Sequence, residues 1–186
     1  MGKGALKVYT GKEFYKLTVD TLVECKSIDL LILKGHVLVE YIFNMSLLIN
    51  SKSVDNDYID RMAFSQKQNL LNKLILEEPL SKQQNDDINL LNQLRNDIAH
   101  RLTYNKQHLQ AFLKRFDEIT VLKNFNNNDI AYLFQSLIYL LATLYVSLIT
   151  TRLVHKKAIN NLEAEIVSYL QEHLSAEILK LKITLS

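Results

Sequence analysis

One proline and four glycines are all that interrupt 186 residues. Tight turns draw on those two residues, because glycine tolerates positive φ and proline pre-sets a turn. A chain this poor in both makes few turns and long helices, so the expected fold class is all-α. Leu, Lys and Gln, abundant here, are good helix formers. Apolar residues make up 48% of the chain, enough for a core and too many for a disordered polymer. The length fits a single domain, residues 1–186.

A net charge of +2 permits an anionic partner without demanding one. No run of Lys or Arg forms a nucleic-acid tail. The lone Cys25 excludes an intrachain disulfide and a cysteine-based zinc cluster, and its apolar flanks mark it as a small core residue. The segment MGKGALKVYTGKEF lacks the apolar stretch of a secretion signal, and Leu at position 6 departs from the myristoylation pattern. A cytoplasmic location is the expectation.

Helical periodicity divides the chain. Phe14, Leu17, Thr18, Leu22 and Cys25 predict a helix over about Lys12 to Lys26. The next, about Ser27 to Leu48, is apolar on most sides and reads as the central core helix, with a break expected near Gly35. Asn-rich spots, Asn50 to Asn56 and Asn124 to Asn128, read as loops. A third helix carries Met62, Leu70, Leu71, Leu74 and Ile75 and is stopped by Pro79. The fourth starts after Ser81, an N-cap residue type, or near Asn85, with the stripe Ile88, Leu91, Leu94 (or Arg95), Ile98 and Leu102. The fifth, about Lys106 to Thr120, shows Leu109, Phe112, Leu113 and Phe116 on one face.

Two further helices follow in a C-terminal extension, residues 128–186, after a helical core over 12–120. Ile130 to Thr151 carries no charge and is long enough to span a bilayer. Its polar residues Asp129, Ser136, Thr143, Ser147 and Thr150 form one narrow stripe, and no aromatic belt with basic clusters flanks both ends. A buried core or dimer-interface helix is therefore favoured over a membrane span. The last helix, about Lys156 to Ile183, has the amphipathic stripe of a helix docked on a neighbour.

The segment LRNDIAHRLTY holds the residues with chemical potential. At 100° per residue, Asn96 and His100 share a helix face, whereas Arg95 and His100 stand about 140° apart. Arg95 and His100 converge more readily when two copies of the helix meet across a two-fold axis. Ordinary roles are also open: an Asp97–Arg101 pair four residues apart, Asn96 facing water, and His100 at a helix C-terminus, where a cation suits the dipole.

LNQLRNDIAH resembles the signature of the HEPN superfamily, in which an arginine and a polar residue precede a histidine a few residues on. Arg95, Asn96 and His100 match it, and the helix order over about residues 28 to 118 resembles the usual HEPN order. The resemblance implies an up-and-down helical bundle, often a homodimer through the motif helices. In the active branches it implies metal-independent RNA cleavage with no cofactor. Imidazoles ordinarily titrate near neutral pH, so His100 suits a general base toward a ribose 2′-hydroxyl. The Arg95 fork suits phosphoryl oxygens, and Asn96 would orient the histidine or bind a non-bridging oxygen. The products would be a 2′,3′-cyclic phosphate and a 5′-hydroxyl. A toxin or anti-phage role, with an antitoxin or sensor protein as partner, belongs to the same implication.

Asp97 and Tyr104 are possible accessory residues. HEPN toxins modified by a nucleotidyltransferase antitoxin carry a tyrosine two residues after the histidine, whereas Tyr104 stands four after, which makes it an ordinary aromatic near the helix end. The segment is also similar to one in mannitol operon repressor-like proteins, helical regulators for which no cleavage is implied. Fold likeness does not choose between these readings. Of the other histidines, His36 reads as a satisfied core residue, and His108, His155 and His173 as solvated. No His and carboxylate pair has metal-ligand spacing.

Overall fold

The computed structural model describes residues 9–50, 56–75, 80–119 and 129–150, and within them the protein is all-α, with no strand. The helices are α1 (Gly11–Val23), α2 (Ile28–Asn50), α3 (Asn56–Arg61), α4 (Phe64–Leu70), α5 (Lys82–Arg101), α6 (Lys106–Lys114) and α7 (Asp129–Tyr145). Wider π-type turns extend α4 over Leu71–Ile75 and α7 over Val146–Thr150. Pro79, the Asn124 to Asn128 loop and the expected helix from Lys156 to Ile183 lie outside the described residues.

Local sequence sets the helix starts. Thr10 caps α1 and Ser81 caps α5, each in a reciprocal box with the residue three positions on, Glu13 and Gln84. Two otherwise orphaned N–H groups are satisfied at each start, and such a cap contributes about 1 kcal/mol. Asn105 caps α6 through a 2.8 Å bond from the Gln107 N–H. α6 ends at Lys114, short of Thr120, and single turns continue through Glu118. α3 occupies sequence beginning at Asn56, where a loop was expected to end.

α2 does not break at Gly35. The glycine serves a close approach: a Cβ there would lie 2.7 Å from Leu137 Cδ2. α2 and α7 run in the same direction, because Gly35 meets Leu137 and Ser46 Oγ donates to the Leu148 carbonyl at 3.2 Å. α5 runs antiparallel to α2, joined by His36–Asn92 and Asp29–Tyr104. α6 folds back antiparallel on α5 through Asp97–His108 and Asp87–Arg115.

Phe14, Ile42, Phe43, Leu91, Phe112 and Leu141 are fully buried in one hydrophobic cluster, and Cys25 joins them. α7 is buried on almost every side and belongs to this core. Its polar stripe is largely satisfied locally: Ser136 Oγ donates to Tyr132 O at 2.9 Å, and Thr143 Oγ1 to Leu140 O at 3.0 Å. Gln84 Nε2 donates to Ser147 Oγ at 2.8 Å, tying α5 to the turn after α7. Two stretches, Ile28–Ile49 and Asp129–Ile149, are long and apolar enough to cross a membrane, and 56% and 78% of them are buried within the protein.

Leu102 corrects the sequence stripe. Its spacing places it on the buried face of its helix, yet it is 89% exposed. It sits just past α5 in the left-handed region, φ 60°, with its N–H bonded to Ile98 O at 2.9 Å. Left-handed backbone costs a leucine about 1–2 kcal/mol, which glycine avoids while giving up some unfolded-state restriction. Leu102→Gly should therefore raise unfolding stability by about 0.5–1 kcal/mol, read as a higher urea midpoint. A drop would show that the exposed leucine packs on something in solution.

Candidate functional site

α5 positions every residue of the motif, and its C-terminal half stands clear of the core on one side. Leu94 and Ile98 face inward, while Arg95 and His100 are exposed and Asn96 is half-buried. The Arg95 guanidinium donates from Nη1 to Asn96 Oδ1 at 3.1 Å. Asn96 is four residues before His100, so this bond turns the guanidinium toward the side from which the imidazole projects. The structure thus joins Arg95 to Asn96. His100 has no hydrogen-bond or ion-pair partner among the described residues.

The accessory residues sit elsewhere. Asp97 lies on the α6 side of α5 and binds His108, with Nδ1 2.7 Å from Oδ2. This replaces the Asp97–Arg101 pair open from the sequence, and it gives His108, read as solvated and 38% exposed at its side chain, a carboxylate partner. The pairing has a simple cause: α6 folds back on α5 and brings together residues eleven apart. Tyr104 is half-buried against the core, and its backbone N–H donates to Asp29 Oδ1 at 3.3 Å. It fastens the end of α5 to the start of α2.

His36 is buried as expected, with Nε2 3.1 Å from Asn92 Oδ1 and its ring against Phe64, centroids 4.3 Å apart. Burial pushes its pKa below the usual histidine value, and the Arg95 charge adds to the lowering, against the Asn92 bond and Glu40. As pH falls below about 6.5, the unfolded chain takes up a proton that buried His36 resists. Stability should therefore decline from about pH 6.5 downward, and His36→Gln should flatten part of that decline. Urea midpoints at about pH 7 and about pH 5 check this; an unchanged slope would contradict it.

An open groove lies at the other end of α5, lined by Lys82, Gln83, Asp86, Lys114, Arg115 and Glu118. From Asp86 to His100 is about 20 Å along the helix, so this concavity is not at the motif. Its charges are of both signs, and Arg115 is already held by Asp87 at 2.7 Å. The motif chemistry, rather than the concavity, marks the candidate site. Among the described residues, no group of three or more His, Cys, Asp or Glu side chains is placed to hold a metal ion.

Sequence reasoning missed the asparagines that share the motif's helix face. Asn85, Asn89, Asn92 and Asn96 recur at helical spacing, a signal visible in the sequence but indistinguishable there from a solvated face. No protein-family model, no curated protein and no solved structure matches this chain.

Proposed function

We propose that the protein is an endoribonuclease of HEPN type, working as a homodimer in the cytoplasm as a toxin or anti-phage defence component. The observation that carries this reading is the Arg95–Asn96 bond on the helix face that ends in the exposed His100. In the proposed reaction, the His100 imidazole takes the proton from a ribose 2′-hydroxyl. The O2′–P bond forms, the Arg95 fork and the Asn96 amide donate to the non-bridging oxygens, and the P–O5′ bond breaks. A protonated His100 from a second copy gives the leaving 5′-oxygen its proton. The guanidinium and imidazoles supply charge stabilisation and proton transfer, so the proposal needs no metal and no cofactor.

The test is RNA cleavage, and growth arrest on expression, by the wild type against Arg95→Ala and His100→Ala. The proposal expects activity in the wild type and its loss in both variants. It fails if the purified dimer leaves varied RNAs intact and both variants behave as wild type in cells. A second reading, a non-catalytic helical regulator of the mannitol repressor-like kind, is favoured by one observation. Leu30, Val37 and Leu102 are apolar yet 39%, 60% and 89% exposed, as residues at a protein contact would be in the free chain. In that case substitutions at Arg95 or His100 change dimer content or melting temperature and leave RNA untouched.

A further inference from the structure

Asn85, Asn89, Asn92 and Asn96 follow one another along α5 at spacings of four, three and four. At 100° per residue they fall within a sector of about 60°, which His100 extends by about 20°. All four amides turn their oxygen to the protein, Asn85 Oδ1 accepting from Gln68 Nε2 and Asn72 Nδ2 at 3.0 and 2.7 Å. Asn89 Oδ1 accepts from Gln68 Nε2 at 3.3 Å, Asn92 Oδ1 from His36 Nε2 at 3.1 Å, and Asn96 Oδ1 from Arg95 Nη1 at 3.1 Å. In Asn89, Asn92 and Asn96 each Nδ2 is then left with two N–H donors, and none of the three has a protein partner among the described residues. Asn85 differs, because its Nδ2 donates to the carbonyls of Leu80 and Ser81 at 3.0 and 3.2 Å. The row of free donors therefore starts at Asn89 and runs about 10 Å to Asn96.

A row of donors suits a ligand that offers acceptors along its length. Phosphate and ribose oxygens do so at every step of a nucleic-acid strand, whereas a peptide backbone alternates donors with acceptors. We propose that Asn89, Asn92 and Asn96 form a track that holds the sugar–phosphate backbone of single-stranded RNA and leads it to His100. The identity of the strand rests on the ribonuclease reading above. Contacts of this kind position a strand without reading its sequence.

The experiment uses the full chain and a fluorescent oligouridylate of about 12 nucleotides, 2′-O-methylated throughout so that it cannot be cut. Asn89→Asp keeps an oxygen for Gln68 but turns the donor into an anion facing the strand. It should weaken binding about tenfold and raise KM for cleavable RNA in proportion, with kcat unchanged. Asn89→Ala, which leaves Gln68 its 3.0 Å bond to Asn85, should weaken binding several-fold and guards against misfolding of the first variant. Gln83→Glu makes the same charge change at the far end of α5 and should leave binding within about twofold. The track is overturned if Asn89→Asp binds like Gln83→Glu, or if the wild type does not bind the oligonucleotide. Binding that falls with Asn89→Asp while cleavable RNA stays whole upholds the track and removes the catalytic reading. Cleavage indifferent to Asn89→Asp does the reverse.

Discussion

His100→Ala should lower the single-turnover rate of RNA cleavage by about 10²–10⁴-fold, the usual contribution of a positioned general base. His100 is exposed and makes no bond within the described protein, so the melting temperature should stay at the wild-type value. Free imidazole should restore part of the lost rate, because the variant leaves open the space from which the ring projected. Arg95→Lys gives a second reading of the same site. It keeps the charge but loses the planar fork that matches a phosphoryl group, so its rate should fall by about tenfold or more. A His100→Ala enzyme that cuts RNA at the wild-type rate would remove His100 from the chemistry.

The second large effect concerns stability. Lys67 is 2% exposed, and its Nζ lies 2.5 Å from Glu40 Oε1. Glu40→Gln takes the charge from the partner and leaves a buried ammonium without an anion, a change that costs about 3–5 kcal/mol when both members are buried. The Glu40 side chain is 35% exposed, so water softens the loss toward about 3 kcal/mol. Lys67→Met removes the buried charge itself, and the remaining carboxylate still reaches solvent. That variant should stay within about 1 kcal/mol of wild type, because apolar replacement of a buried ion is often neutral. Urea unfolding of the two variants measures the asymmetry. Equal losses would mean that Lys67 is better hydrated than its burial implies.

The helical architecture was legible because it rests on local rules. Scarce glycine and proline gave long helices, and of the two starts open for α5, after Ser81 or near Asn85, the first is the one the Ser81–Gln84 box fixes. Cys25 and His36 were legible as core residues from the apolar sequence around them, and both are buried, Cys25 in the link between α1 and α2 and His36 within α2. What escaped depends on chain reversals and on the neighbours they create. Leu102 has the spacing of a buried stripe, but its left-handed conformation is set by where α5 stops and α6 turns back. Asp97 and His108 meet only because of that same turn. The buried Lys67 is a charged residue on a short helix, and only the position of Glu40 on α2 lets it be enclosed. For the candidate site, the sequence identified Arg95, Asn96 and His100, and it left the asparagines beneath them undifferentiated from a wet surface.

The most direct measurement is the chemistry of the RNA ends. Wild-type protein incubated with RNA in excess chelator should yield fragments carrying a 2′,3′-cyclic phosphate and a 5′-hydroxyl, seen by mass spectrometry. The same incubation with His100→Ala should leave the RNA whole. Fragments with a 5′-phosphate, or identical fragments from both proteins, would contradict attack by the ribose 2′-oxygen at this histidine.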